Sequence, residues 1–315
     1  MNTLTKLGLF AAGLLAAFGA AAGVGSAVGP VGSTGEVAQH GDDPATTESG
    51  SHEAAAAAEE IPGGLMLSQH GYTLALAQDS LPAGESIPVA FRVLGPDGSP
   101  VTSYISTHDK DLHLIAVRRD MTGFQHVHPD LADDGTWTSS LDLTAGQWRI
   151  FADFAPTGHG QAMTLGVDLA VAGDYHPQQL PEPTLTAEVD GYTVTLDGNL
   201  RAGQETELTL SVSRDARPVT DLQPYLAAYG HLVALRAGDL AYLHVHPAGV
   251  PGDGTTEPGP DITFHATAPS PGDYRLFLDF QHDGIVRTAA FTATAAGTGT
   301  GTGQSDPTGS DGHSH

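Results

Sequence analysis

The sequence predicts an all-β protein built from two tandem immunoglobulin-like β-sandwich domains, with a disordered N-terminal stalk and a disordered C-terminal tail. Three observations carry this. The middle of the chain repeats itself: "GYTLAL" at 71–76 answers "GYTVTL" at 191–196, "GSPVT" at 98–102 answers "ARPVT" at 216–220, and "WRIFADF" at 148–154 answers "YRLFLDF" at 274–280. Each copy is a series of short runs rich in Val, Leu, Ile and Phe, such as "IPVAFRVL", "LHLIAVR" and "ELTLSVS", separated by Gly, Pro and Asp turn signals. Beyond the N-terminus no stretch sustains a 3.6-residue apolar period with helix caps. Roughly seven strands in roughly 100 residues is the scale of such a sandwich.

The elements follow in chain order. Residues 1–30 read as a signal peptide or an N-terminal membrane anchor: Lys6 supplies a positive charge, Leu7 to Val31 carry none, and Ala20, Ala21 and Ala22 offer a small-residue cleavage site. Residues 31–60, rich in Gly, Ala, Ser, Thr and Glu, read as a disordered linker. The first sandwich is assigned to 61–173 and the second to 186–295. The Pro-rich stretch 174–185 between them reads as a linker. Residues 296–315 are a low-complexity tail.

The chain holds 37 acidic and 12 basic residues, a formal net charge of −25. That balance repels nucleic acid and attracts cations, so no nucleic-acid partner is expected. There is no cysteine. Disulfides, thiolate metal sites and a lipid-modified N-terminal cysteine are thereby excluded.

The chemistry lies in the histidines. Of 16, only three in each copy find a histidine at the matching place in the other. His113 matches His231, His126 matches His244, and His128 matches His246, the last two of each set lying in a duplicated His-Val-His-Pro. The surrounding stretches have diverged. On a strand, residues i and i+2 share a face, so two imidazoles so placed can converge on one ion. The 13-position step from the first histidine to the pair allows a strand, a turn and an antiparallel return. His113 shares its strand face with Ile115 and Val117, and that face is expected to point inward.

One carboxylate pair also matches, Asp153 with Asp279. Each can complete a three-histidine metal site or hold a ligand imidazole in its tautomer. Alternation sets Asp153 beside Arg149, so a cross-strand salt bridge is the competing reading. His108, His159 and His282 lie near these sets without a matching histidine and are accessory candidates, and His265 reads as an ordinary strand residue.

The stretch from "HDKDLHLIAVRRD" through "FQHVHPD" to "WRIFADFAPTG", and its second copy from "AYGHLVALRAGDLAYLHVHP" to "GDYRLFLDF", resembles secreted bacterial, actinobacterial-type β-sandwich proteins with an H…HxHP pattern. Members of that group are often found among heavy-metal and copper functions. The resemblance covers roughly residues 61–294. It implies an extracytoplasmic location, secreted or anchored to the cell membrane, and a metal-related role.

Imidazole with carboxylate suits copper or zinc ions, Cu(II) first and Zn(II) second. The expected sets are His113, His126, His128 and Asp153 in one domain and His231, His244, His246 and Asp279 in the other, one site per domain. Because the ligands must be neutral, binding is expected to fall as pH drops through about 6.5. The leading function is metal handling or resistance at the cell envelope, with metal ions and an envelope metal transporter or other envelope protein as partners. A non-catalytic adhesion module with structural histidines is the alternative. A metalloenzyme is the third class, and no general acid or base recurs in both copies to support it. The expectation is a protein that is not an enzyme.

Overall fold

The structure, a computed structural model, describes residues 61–297 of the 315-residue chain. The predicted signal or anchor segment, the linker 31–60 and residues 298–315 of the tail lie outside the described residues. Among the described residues no helix is long and apolar enough to cross a membrane.

The first repeat contains β1 (Ser68–Gln69), β2 (Tyr72–Leu76), β3 (Ser80–Pro82), β4 (Gly84–Leu94), β5 (Leu112–Arg118), β6 (Gln125–Val127), β7 (Asp130–Leu131), β8 (Thr136–Leu143), β9 (Gly146–Phe154) and β10 (Met163–Ala172). They form two sheets, β1-β2-β4-β8-β7 and β3-β10-β9-β5-β6. The second repeat contains β11 (Thr186–Val189), β12 (Tyr192–Asp197), β13 (Glu205–Arg214), β14 (Arg217–Pro218), β15 (Gly230–Arg236), β16 (His244–Pro247), β17 (Asp261–Thr267), β18 (Gly272–His282) and β19 (Ile285–Ala295). Its sheets are β11-β12-β13-β17-β16, with β14 on β13, and β15-β18-β19. The protein is thus all-β, two immunoglobulin-like sandwiches in tandem.

Each sandwich has its own apolar core. Period-2 alternation puts Phe91, Trp137 and Leu141 of one first-repeat sheet against Leu114, Trp148 and Ile150 of the other. In the second repeat Val194, Leu210 and Phe264 meet Ala234, Leu276 and Phe291. Burying these side chains supplies most of the driving force for each domain, about 1.5–3 kcal/mol per large apolar side chain.

β5 and β15 do not alternate. Six of the seven residues of each are buried. A run apolar on both faces is what a strand covered on both faces needs. The second cover is the other sandwich. Ile115, Val117, Met121 and Phe151 of the first repeat form one cluster with Val233, Leu235, Leu240 and Phe277 of the second. Phe124 stacks on Phe277 with ring centroids 4.0 Å apart. His113 shares the Ile115 and Val117 face as expected. That face is the outer one of its own sandwich, while Leu112, Leu114 and Ala116 fill the sandwich core. The inward-facing expectation is therefore corrected: His113 is buried against the neighbouring domain.

The two sandwiches belong to one compact unit, and the connecting chain is docked on it. Gln178 donates its backbone N–H to Asp120 at 2.8 Å, and Leu180 packs on the interface cluster. The entering segment bridges both domains. Gly63 accepts a backbone hydrogen bond from Tyr242 of the second repeat, and Gly64 donates one to Thr164 of the first. Gly64 has φ +73°, and a Cβ there would sit 2.5 Å from the Phe151 ring, so only glycine fits.

Candidate metal centre

The site is assembled where the two repeats meet. β5 and β6 pair antiparallel with Ile115 opposite His126 and Leu114 opposite Val127. Continuing that register brings His128, just past the strand end, alongside His113. One ring nitrogen from each of His113, His126 and His128 lies within 4.8 Å of the others. The ring centroids form a nearly equilateral triangle, with sides of 5.2, 4.9 and 5.0 Å. Imidazoles bound to one ion at metal–nitrogen distances of about 2.0–2.1 Å, spread at near-tetrahedral angles, have centroids about 5 Å apart.

The outer ring nitrogens are already anchored. His113 Nε2 donates to the Thr107 carbonyl at 3.0 Å. His126 Nδ1 donates to the Asp279 carboxylate at 2.9 Å. In neutral rings these anchors leave His113 Nδ1 and His126 Nε2 as lone pairs, and these two atoms face each other at 3.0 Å. Two lone pairs repel at that distance. A cation between them removes the conflict, and His128 Nε2, 3.2 Å from His113 Nδ1, completes the set. Burial pushes the His113 and His128 imidazoles down to about 3, with the neighbouring histidine charges adding to the effect. His113 and His128 are therefore neutral, as metal ligands must be.

The carboxylate that orients His126 comes from the other repeat. Asp279 is buried and also accepts a hydrogen bond from Thr288 Oγ1. Its counterpart Asp153 accepts one from Thr164 Oγ1 at 3.1 Å and is pushed up to about 6 by burial. The alternative salt bridge of Asp153 with Arg149 does not form. Arg149 pairs with Asp168 at 2.9 Å and donates to the Gly64 carbonyl. Thr164 and Thr288 stand opposite Asp153 and Asp279 in strand register, but at different distances along the chain, so the repeat spacing did not reveal them.

His231 repeats the anchoring of His113. Its Nε2 donates to the carbonyls of Tyr225 at 3.1 Å and Leu226 at 3.0 Å, and Tyr225 is the repeat counterpart of Thr107. Its ring centroid lies 6.2 Å from that of His113 and 6.1 Å from that of His126. The second His-Val-His-Pro is placed differently. β16 pairs with β17, setting His244 opposite Thr267 and His246 opposite His265, whereas β6 pairs with β5. A cavity of about 870 Å³ is lined by His108, His113, His126, Asp153, His231 and His246, among others.

Of the accessory histidines, His108 joins this cluster, its ring 5.1 Å from His231 and 6.1 Å from His113. It sits with Asp109 in a tight turn at φ +50° and +63°, closed by paired backbone hydrogen bonds between Thr107 and Lys110. His159 also lines the cavity and stacks on His70 at 4.9 Å. His282 belongs elsewhere, bonded to Tyr192 and Asp221.

The sequence family described as a domain of unknown function, DUF8832, matches residues 67–173 and again 187–297. The chain belongs to the DUF8832 family. Each sandwich is one DUF8832 copy, so the His126–Asp279 contact joins two copies of the domain. Comparison with the curated proteins finds no match. Among solved structures, the chain is similar to the FdeC adhesin of Escherichia coli at 17% identity and a TM-score of 0.23, covering 73% of this chain and 66% of that one, just under two thirds. It is similar to InvD of Yersinia pseudotuberculosis at 15% identity and a TM-score of 0.22, covering 76% of this chain and 62% of that one. The fibronectin(III)-like modules of Clostridium thermocellum CbhA match at 9% identity and a TM-score of 0.18, covering 77% and 100%. Likenesses at these TM-scores carry no weight for what a DUF8832 chain does.

Proposed function

We infer that the chain is an extracytoplasmic metal-binding protein of the cell envelope that holds Cu(II) or Zn(II) at His113, His126 and His128, in metal handling or resistance. The observation that carries the reading is the convergence of one ring nitrogen from each of His113, His126 and His128, with His113 Nδ1 and His126 Nε2 held 3.0 Å apart by anchors on their far sides. A ligating histidine whose other nitrogen is fixed by a carboxylate or carbonyl is the usual arrangement around a bound metal. Three imidazoles without thiolate suit Cu(II) or Zn(II). The net charge of −25 favours cation capture. The extracytoplasmic location rests on the N-terminal sequence and on the resemblance to secreted metal-associated sandwiches. A transporter or another envelope protein would then receive or deliver the ion.

The test is titration of the metal-free full chain with Cu(II) and with Zn(II), beside the double variant His126→Ala/His128→Ala. The variant should bind one ion fewer than the wild type. Equal stoichiometry in the two would refute the reading.

A further inference from the structure

We propose that an ion held by His113, His126 and His128 keeps one coordination position facing the cavity between the repeats, and that this position admits a neutral nitrogen ligand carrying its own N–H, imidazole among them, whose proton is accepted by Nδ1 of His231. The proposal rests on the metal reading of the triad and names the class of ligand that the site takes.

The first support is the count of donors. Among the described residues only these three groups converge. The carboxylates expected as a fourth ligand are engaged elsewhere. Asp279 accepts from His126 Nδ1 and Thr288 Oγ1, and Asp153 accepts from Thr164 Oγ1. Three protein ligands leave an ion with a position for a ligand from outside. The second support is the space beside it. His113 and His126 line the cavity of about 870 Å³, which reaches the surface at His70 and Gln161. Pockets that take small molecules run about 300–1,000 Å³, mostly apolar with a few placed polar groups. Met163, Leu243 and Phe264 supply apolar wall here.

The third support is His231, which lines the same cavity. Its Nε2–H is committed to the carbonyls of Tyr225 at 3.1 Å and Leu226 at 3.0 Å, so its Nδ1 is a lone pair. Its ring centroid lies 6.2 Å from that of His113 and 6.1 Å from that of His126, against 4.9–5.2 Å within the triad. His231 thus stands just outside the set that converges on the ion. From there its lone pair can receive a proton from something bound to the metal. An anion would meet that lone pair and the Asp153 carboxylate with no proton to offer either. The anchor that makes His113 a metal ligand therefore makes its repeat counterpart an acceptor.

The experiment uses the full chain loaded with one equivalent of Cu(II), titrated at about pH 7.5, where free imidazole is largely neutral. Imidazole is compared with 1-methylimidazole, which offers the metal the same nitrogen but has no N–H. Binding is read from the Cu(II) electron paramagnetic resonance spectrum, and bound copper is counted after each titration. Wild type should bind imidazole roughly tenfold more tightly than 1-methylimidazole and keep its copper. In His231→Phe, which keeps a ring at that place, the two should bind alike with copper stoichiometry unchanged. A spectrum that neither ligand moves, or copper stripped without a mixed complex, would overturn the open position and leave the triad standing. A preference equal in wild type and His231→Phe would overturn the acceptor role, since it would then reflect only the bulk of the methyl group. No preference in wild type overturns it without recourse to the variant. If His126→Ala retains as much copper as wild type, it is the triad reading that falls.

Discussion

His126 of the first repeat donates its Nδ1 proton to Asp279 of the second, 2.9 Å away, with both side chains buried. The orientation of a first-domain ligand is thereby set by the second domain. Asp279→Asn keeps the shape but replaces an acceptor-only group with one that can flip its donor toward His126. Cu(II) or Zn(II) affinity should fall roughly 10–100-fold. Competition against a coloured chelator measures this, and an unchanged affinity would show that the carboxylate does not orient the ligand.

Burial alters the expected pH response. An exposed histidine site loses its metal as pH drops through about 6.5. His113 and His128 are held at about 3, so for these two ligands protons compete only at lower pH than at an exposed histidine. Metal retained after dialysis at about pH 5 should be close to that at pH 7. Release with a midpoint near the ordinary histidine value would contradict the burial of these rings.

The same shifts make the metal-free fold acid-sensitive. In the unfolded chain these imidazoles take up protons below about 6.5. In the folded chain His113 and His128 do so only near 3, and His231, pushed down by burial, only near 4. The unfolded state binds more protons in that window, so stability is full above the unfolded value and is lost as pH falls toward 3–4. Urea midpoints of the metal-free protein should drop between pH 7 and about 4.5. A midpoint that holds or rises would count against the assignment.

The interface itself is testable at Phe277. Its ring is stacked on Phe124 and buried in the cluster shared by the two sandwiches. Phe277→Ala should cost about 3–5 kcal/mol in urea unfolding. It should also weaken metal binding, because Asp279 lies two residues along the same strand. A loss under about 1 kcal/mol would mean that the domains do not depend on this contact.

Much of this was legible in the sequence. The internal repeat and the period-2 runs gave the two sandwiches. Residue spacing gave the meeting of His113 with His126 and His128, because a strand, a turn and a return are local geometry. What the sequence hid is what depends on docking. The unbroken apolar runs "LHLIAV" and "HLVAL" signalled a strand covered on both faces, yet a reading confined to one domain assigns that cover to the sandwich core. Asp279 was grouped with its own repeat because sequence distance says nothing about a contact 153 positions away. His108 was set aside for lacking a matching histidine, although its value lies in facing a residue of the other copy. The different pairing of β16 depends on which sheet edge a short strand meets, and four residues carry too little pattern to decide that.

The contact between His126 and Asp279 also bears on descent. A chain with a single copy of this domain would hold the histidine and the carboxylate but could not bring them together; it would have to find a second molecule of itself. Joining two copies in tandem makes that encounter intramolecular and independent of how dilute the protein becomes. It also frees the halves from being identical. A homodimer must change both of its sites at once, whereas here one turn carries His108 and its counterpart carries Leu226.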